Sequence, residues 1–539
     1  MRRAVAVLLV LLSGCPTSDR RGRDVPPKQR VFAYAEVEPE FIDPALIGET
    51  AGGRVAEQLF EPLMTVPLGD GAPIPGQAAR YRVSADGRVY TFELRRGLRW
   101  SDGTPLDARD FLYAWRRALA PATRSRAASQ FYLIKGARAF NRGDNRDPAS
   151  VGVSAPDRYT LRVELVAPAP YFLDLVTRAP FSPTPRHVIA RHGAKWTRPP
   201  NIVSNGPFAL TEWKTRERMI LRRNPHYRAR DKVWLERVEV HFVENESVAF
   251  RWYERGKVNW TPGMVPVEKV PILLRQGRRD FHIDPWICTY YYAFNVTRPP
   301  FDDVRVRRAF NMAIDKGKLT RQVLGAGQRP ATHLIPPALS KLRAVKPQRG
   351  DAFDPVRARA LLREAGYRIE AGKSGKPFPV VTLLYNTFEA HRLLAEFVQR
   401  SLKNNLGVTL EIGNMEWKTL LKRLRAGDYH IARSGWCADY PDPQDYLEVF
   451  ETGSTNNYPR FSSAAFDHLV ERLRREGDPA HRKHLTEAGE LLLSRQQPIL
   501  PIYFYSKPYM LSPFVRGFKP QLQDRHVLST VRFAAKAKR

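Results

Sequence analysis

The apolar positions of this chain fall into two short periods, and each period predicts an element. Residues 89–94 (VYTFEL) alternate, which predicts a strand carrying Tyr90, Phe92 and Leu94 on one face. Residues 107–119 (DARDFLYAWRRAL) repeat every three to four positions, so a helix is expected with Phe111, Leu112, Trp115 and Leu119 on one stripe and acids near its start. An aromatic strand is read at 288–295 (CTYYYAFN), and a helix at 303–314 presenting Val306, Ala309, Phe310 and Ala313. Asp354-Pro355, ahead of a periodic stretch ending at Gly366, supplies the cap, first-turn proline and terminal glycine of another helix. Strands and helices intermingle from Val31 onward without a repeat or a low-complexity linker, so the class is α/β. A length of 539 residues is too great for one core and implies several domains.

The first residues depart from both periods. Met1-Arg2-Arg3 is basic, Ala4 to Leu12 is an unbroken apolar run, and Leu12-Ser13-Gly14-Cys15 follows. The run is shorter than the roughly 20 residues a bilayer requires, and it reads as a secretory signal over 1–14. The tetrapeptide resembles the bacterial lipobox, which makes Cys15 the lipidation site and the polar, Pro-containing segment 15–30 a flexible tether. The expected location is therefore periplasmic, anchored to the membrane through lipid. With Cys15 lipidated, Cys288 and Cys437 remain as an even pair in an oxidising compartment, and composition leaves open a disulfide or two buried thiols.

Charge widens the set of partners before the motifs narrow it. Lys and Arg number 87 against 55 Asp and Glu, a net charge of +32, which raises nucleic acid or an anionic surface as a partner. The basic residues are dispersed, however, and no zinc-finger or RNP-like signature accompanies them, so no nucleic-acid partner is expected. No histidine is followed by glutamate, no CxxC pair exists and no GxSxG occurs. Residues 366–374 (GYRIEAGKS) miss the phosphate-loop spacing by one residue, and His481 with His484 lacks a third ligand. No enzyme, metal or cofactor is expected.

Residues 432–446 (ARSGWCADYPDPQDY) carry the chemistry. Asp439, Asp442 and Asp445 stand among Trp436, Cys437 and Tyr440. A carboxylate shielded by aromatic rings attracts a cation strongly because the local dielectric is low, and an ammonium is the natural guest. The same residues also suit loop-capping acids over an aromatic core.

That segment resembles the GWCADY stretch of periplasmic oligopeptide-binding proteins, the solute receptors of peptide ABC importers. The likeness extends through the lipobox, residues 38–65, 90–117 with WSDGTP, Asn205-Gly206-Pro207-Phe208, Asn224-Pro225-His226-Tyr227, CTYYYAFN with PPFDDVRVRRA, LLREAGY at 361–367 and PIYFY at 501–505. The resemblance implies the two-lobed periplasmic-binding-protein fold of class II, or cluster C, with an additional small domain and a ligand cleft between the lobes. Lobe I is expected from 31–62, 186–286 and 508–539, the small domain from 63–185 and lobe II from 287–507. Asp439 is implied as the partner of a peptide's α-ammonium, with Thr50, Arg433, Gly435 and Cys437 lending main-chain contacts. Tyr291, Trp286, Trp417, Trp436, Asn456 and Tyr505 are implied as pocket walls. A Cys288–Cys437 disulfide is implied as well. The partners would be short peptides and the permease and ATPase subunits of an importer, and the receptor itself a monomer.

Where some members place basic residues for the ligand's carboxyl end, this chain has Leu324 and Leu424, while His391 is retained. The apolar Leu424 resembles the murein-peptide receptors of the family, so a cell-wall peptide or another specialised solute is the alternative ligand. Arg423 and Arg425 flank Leu424 and are candidates to compensate.

Overall fold

A computed structural model describes residues 30–67, 72–342, 344–368, 375–519, 523 and 525–534. The signal segment 1–14, Cys15 and the tether as far as 29 lie outside the described residues.

One sheet of eleven strands runs through most of the molecule. In chain order these are β1 (Val31–Glu36), β2 (Phe208–Lys214), β3 (Arg218–Arg223), β4 (Arg237–Phe242), β5 (Trp260–Thr261), β6 (Phe281–Phe294), β7 (Arg329–Pro330), β8 (Val381–Asn386), β9 (Leu410–Met415), β10 (Ile431–Cys437) and β11 (Ile499–Leu511). Across the sheet the order is β9-β8-β10-β6-β11-β5-β1-β4-β3-β2, with β7 also pairing with β11.

Two long antiparallel strands pass from one half of this sheet to the other. The first part of β6, Phe281 to Pro285, pairs with Met510 to Ser506 of β11, beside β5. Its second part, Thr289 to Ala293, pairs with Phe504 to Ile499 and, on its other edge, with β10. The register slips between Pro285 and Thr289, so the crossing point is a bulge, which bends a strand locally.

Alternation along β6 splits the second half into two cores. Tyr290, Tyr292 and Phe294 face Phe301, Phe310 and the helices Val304–Met312, Pro355–Glu364 and Glu389–Leu406. Ile287, Tyr291 and Ala293 face Leu424, Phe450 and the helices Ala464–Arg475 and Pro479–Gln496. Both cores cover strands that carry mostly apolar residues, as burial on two faces requires.

Residues 78–164 form a separate four-stranded antiparallel sheet in the order Ala78–Val83, Val89–Leu94, Thr160–Glu164, Val153–Asp157. As the alternation predicts, Tyr90, Phe92 and Leu94 are buried and their neighbours are not. The helix Ala108–Leu119 is capped by Asp107 and buries Phe111, Trp115 and Leu119, while Leu112 is only half-buried. Trp115 Nε1 donates to Phe181 O at 3.0 Å, and Phe131 stacks on Phe181 at 4.1 Å. This sheet shares one continuous core with β1–β4. Glu61 helps to lock the joint, accepting from Tyr227 Oη at 2.7 Å, from both arms of Arg228 and from Gln77.

The other helices read from the sequence form where expected. Asp303 caps Val304–Met312; Asp354 caps Pro355–Glu364, and Gly366 follows it with φ +86°. His481 and His484 are exposed. Among the described residues no helix is long and apolar enough to cross a membrane.

Candidate functional site

Strand β10 delivers the aspartate segment. Its register with β6 sets Cys437 opposite Cys288, Gly435 opposite Tyr290 and Arg433 opposite Tyr292. Cys288 and Cys437 are joined by a disulfide. The chain leaves the sheet after Cys437 and enters a short loop before the helix Gln444–Glu448.

The three aspartates of that loop divide by role. Asp442 accepts from Gln444 N at 3.0 Å and from Arg482 Nη2 at 2.9 Å, so it caps and pairs internally. Asp445, almost fully buried, accepts from Trp436 Nε1 at 2.6 Å and from Asp439 N at 3.1 Å, which shapes the loop. The carboxylate of Asp439 accepts no hydrogen bond from any described residue. Burial, and then the charge of Asp439, push the Asp445 carboxyl well above the usual range. Burial also raises Asp439, against the opposing pull of Arg178. Asp442 and Asp445 are thus engaged within the protein, and Asp439 is the loop carboxylate whose oxygens no described donor occupies.

A second segment and the C-terminal region cover this loop. Tyr171 stacks on Tyr440 with ring centroids 4.5 Å apart, and Gln444 Nε2 donates to Tyr171 Oη at 3.1 Å. Gln523 Nε2 donates to Asp439 O at 3.3 Å. Arg178, seven residues beyond Tyr171, has Asp439, Arg525, Glu57 and Asp445 as charged neighbours. Arg525 pairs with Glu57 at 2.7 Å and donates to both oxygens of Thr177.

A second group of side chains lies along β6, β10 and β11. The Arg433 guanidinium sits 5.2 Å from the Tyr290 ring and 5.5 Å from the Trp417 ring, and Nη2 donates to Tyr505 Oη at 3.3 Å. Its Nε is buried without a partner, and no described carboxylate lies within 4 Å. His391 Nδ1 is 3.3 Å from Tyr290 Oη, and burial with the nearby Arg433 charge pulls its pKa down to about 3. Trp286 stands edge-on to Tyr505, with Lys507 over its ring. A buried, neutral histidine beside an uncompensated guanidinium suits a carboxylate.

The structure therefore gathers Asp439, Trp436 and Cys437 at one end and Arg433, Trp417, Tyr505, Trp286 and His391 around Tyr290. It does not bring Tyr291 to that group. Strand alternation turns Tyr291 to the opposite face against Phe450, where it is 1% exposed. Thr50 is exposed at the start of the helix Thr50–Leu59, and Asn456 is half-buried; neither is bonded to Asp439. Leu324 and Leu424 are core residues, and Arg423 is engaged with Asp428 at 3.0 Å. Sequence reasoning missed Arg178, Arg525 and Glu57, which carry no local motif, and the Arg433 side chain, whose position among apolar strand residues was the available signal.

The description bacterial extracellular solute-binding proteins, family 5 Middle, matches residues 72–458. The periplasmic oligopeptide-binding protein OppA of Escherichia coli (strain K12) is 34% identical over 526 residues, covering 96% of this chain and 95% of that protein. Among solved structures, the Escherichia coli murein tripeptide binding protein MppA superposes with a TM-score of 0.78 at 31% identity, over 93% of this chain and 98% of its own. Haemophilus influenzae OppA in complex with RPPGFSPFR gives 0.77 at 29% identity, over 94% and 99%.

Proposed function

The chain belongs to the bacterial extracellular solute-binding proteins of family 5, and on that premise we propose that it is the peptide receptor of an ABC import system. The observation that carries this reading is the Asp439 carboxylate, held on a covered loop with no hydrogen-bond donor among the described residues. Such a group calls for a cation, and a peptide's α-ammonium supplies one.

In this reading the backbone of β10 at Arg433, Gly435 and Cys437, with the Thr50 region opposite, adds the peptide as an extra strand. Main-chain bonds then give affinity without regard to side chains. Trp286, Trp417, Trp436, Asn456 and Tyr505 wall the pockets, with the buried Tyr290 behind them. Arg433 and His391 hold the carboxyl end. The ligand leaves chemically unchanged.

Residues 31–62, 186–286 and 508–539 form lobe I, 63–185 the small domain and 287–507 lobe II, which close about the β6 and β11 crossing. The receptor acts as a monomer on the periplasmic side, anchored through a lipid on Cys15 after removal of 1–14, and hands its peptide to an inner-membrane permease and ATPase pair. A murein-peptide receptor is the second reading. It is favoured by Leu324 and Leu424, which bury apolar side chains and leave Arg433 as the cation of the carboxyl end.

The test is native mass spectrometry of the protein made without residues 1–15, with sequencing of any ligand released on denaturation. A ladder of short peptides with free amino ends is expected. One mass matching a murein fragment would decide for the second reading, and a ligand without a peptide bond would overturn both.

A further inference from the structure

Arg178 has no duty in the peptide-receptor reading, yet the structure positions it with care. Its N–H donates to Leu175 O at 2.9 Å, and its carbonyl accepts from Phe181 N at 3.0 Å. Thr177 beside it is clamped by two bonds from Arg525, each 2.7 Å, and Arg525 is fixed in turn by Glu57. Arg178 is thus mounted on an anchored turn rather than free to drift as surface arginines do.

Its guanidinium is nevertheless unspent. Nε is buried and has no acceptor, no terminal nitrogen is bonded to a described residue, and no described carboxylate comes within 4 Å. Leaving a buried donor unmade costs roughly 1–3 kcal/mol, a cost that a ligand acceptor would remove. Among its charged neighbours Asp439 does most to favour the charged guanidinium, so a donor fork and a carboxylate share one neighbourhood without a direct bond.

The charges around it do not balance once an ammonium arrives. Glu57 is matched by Arg525 at 2.7 Å. Asp445 is taken by Trp436 Nε1 at 2.6 Å and by the Asp439 N–H at 3.1 Å, which leaves the Asp439 carboxylate to face Arg178. A ligand ammonium then shares the Asp439 carboxylate with Arg178, two cations at one carboxylate. A second anion brought by the ligand restores neutrality, and the planar fork of a guanidinium fits a carboxylate with two parallel bonds. The net charge of +32 works in the same direction by drawing anionic peptides toward the protein.

We propose that Arg178 is an anion-reading position beside Asp439, so that the cleft prefers peptides carrying a carboxylate side chain in their first two residues. This rests on the peptide-receptor reading and adds a preference at its amino end.

Calorimetry with Glu-Ala-Ala, Ala-Glu-Ala, Gln-Ala-Ala and Ala-Gln-Ala tests it at pH 7. Wild type should bind at least one glutamyl peptide about tenfold more tightly than its glutaminyl twin, as expected for a buried charge-assisted pair. Arg178→Gln should erase that ratio while still binding the glutaminyl peptides, and Arg178→Lys should keep part of it. Equal affinities within each pair for wild type overturn the proposal without any variant being needed. So does a ratio that survives Arg178→Gln. Failure of all four peptides to bind wild type would instead overturn the receptor reading beneath it.

Discussion

Replacing Asp439 by Asn removes a charge and little else. The loop is shaped by Asp445, which holds Trp436 Nε1 and the backbone N–H of residue 439, and neither bond involves the Asp439 side chain. The fold should therefore persist while the cleft loses its anion. Breaking one partner of a buried ion pair costs about 3–5 kcal/mol, which corresponds to a loss of roughly two to three and a half powers of ten in affinity. N-acetylation of the peptide removes the other partner. Titration calorimetry on wild type and Asp439→Asn, each with a free-amino and an acetylated peptide, completes a double-mutant cycle. The coupling energy should be about 2 kcal/mol or more, because acetylation harms only the protein that still carries the carboxylate. Acidification gives an independent reading. Burial raises the Asp439 pKa, so wild-type affinity for free-amino peptides should fall with pH earlier than an ordinary carboxyl would dictate, and the Asn variant should lack that slope. A coupling energy below about 0.5 kcal/mol would refute the assignment of Asp439 to the ammonium.

Removing the Cys288–Cys437 disulfide, which closes 149 residues, should lower stability by up to about 5 kcal/mol in the chain-entropy treatment. Urea midpoints of the Cys288→Ala/Cys437→Ala protein equal to those of wild type would contradict this. Glu490 is fully buried, accepts from Ile335 N at 2.8 Å and Gln348 N at 3.1 Å, and burial lifts its pKa to about 7. Its folded value lies above the unfolded one, so its contribution is greatest below about pH 4.5 and fades as pH rises through 7, by roughly 3 kcal/mol. Urea unfolding at pH 5 and pH 8 should show Glu490→Gln with a smaller loss between the two than wild type. Gly206 admits no side chain, since a Cβ there would lie 2.6 Å from the Leu59 carbonyl carbon, in backbone that already accepts the Gly206 N–H. Gly206→Ala should cost about 1–3 kcal/mol, and an unchanged melting temperature would argue against that contact.

Local order is what the sequence makes legible. Residues 89–94 and 107–119 fold as their periods dictate because a strand has two faces and a helix one stripe, and a proline or glycine in the right place marks an end. The aspartate segment is legible as a site through its composition, yet nothing in ARSGWCADYPDPQDY distinguishes the aspartate that caps from the one that binds. That division depends on Arg482 and Trp436 capturing two of the three carboxylates. The aromatic run at 290–292 shows the same limit. Alternation requires that Tyr290 and Tyr291 face opposite sides, but which face meets Arg433 is set by the register with β10. Arg178 is the extreme case, an arginine in an ordinary turn whose meaning comes only from the distant loop brought against it.

The crossing of β6 and β11 also bears on the order in which the chain acquires its shape. β1, β4 and β5, all from the first half of the chain, lie on one side of β11, and β6 and β10 on the other, but β11 itself is made of residues 499–511. A growing chain that has not yet reached those residues has neither half of its large sheet complete. Pairing that waits for strands so remote in sequence is slow. The two halves of the large sheet can each begin to pair without β11, but they are joined edge to edge only when residues 499–511, close to the end of synthesis, have been made.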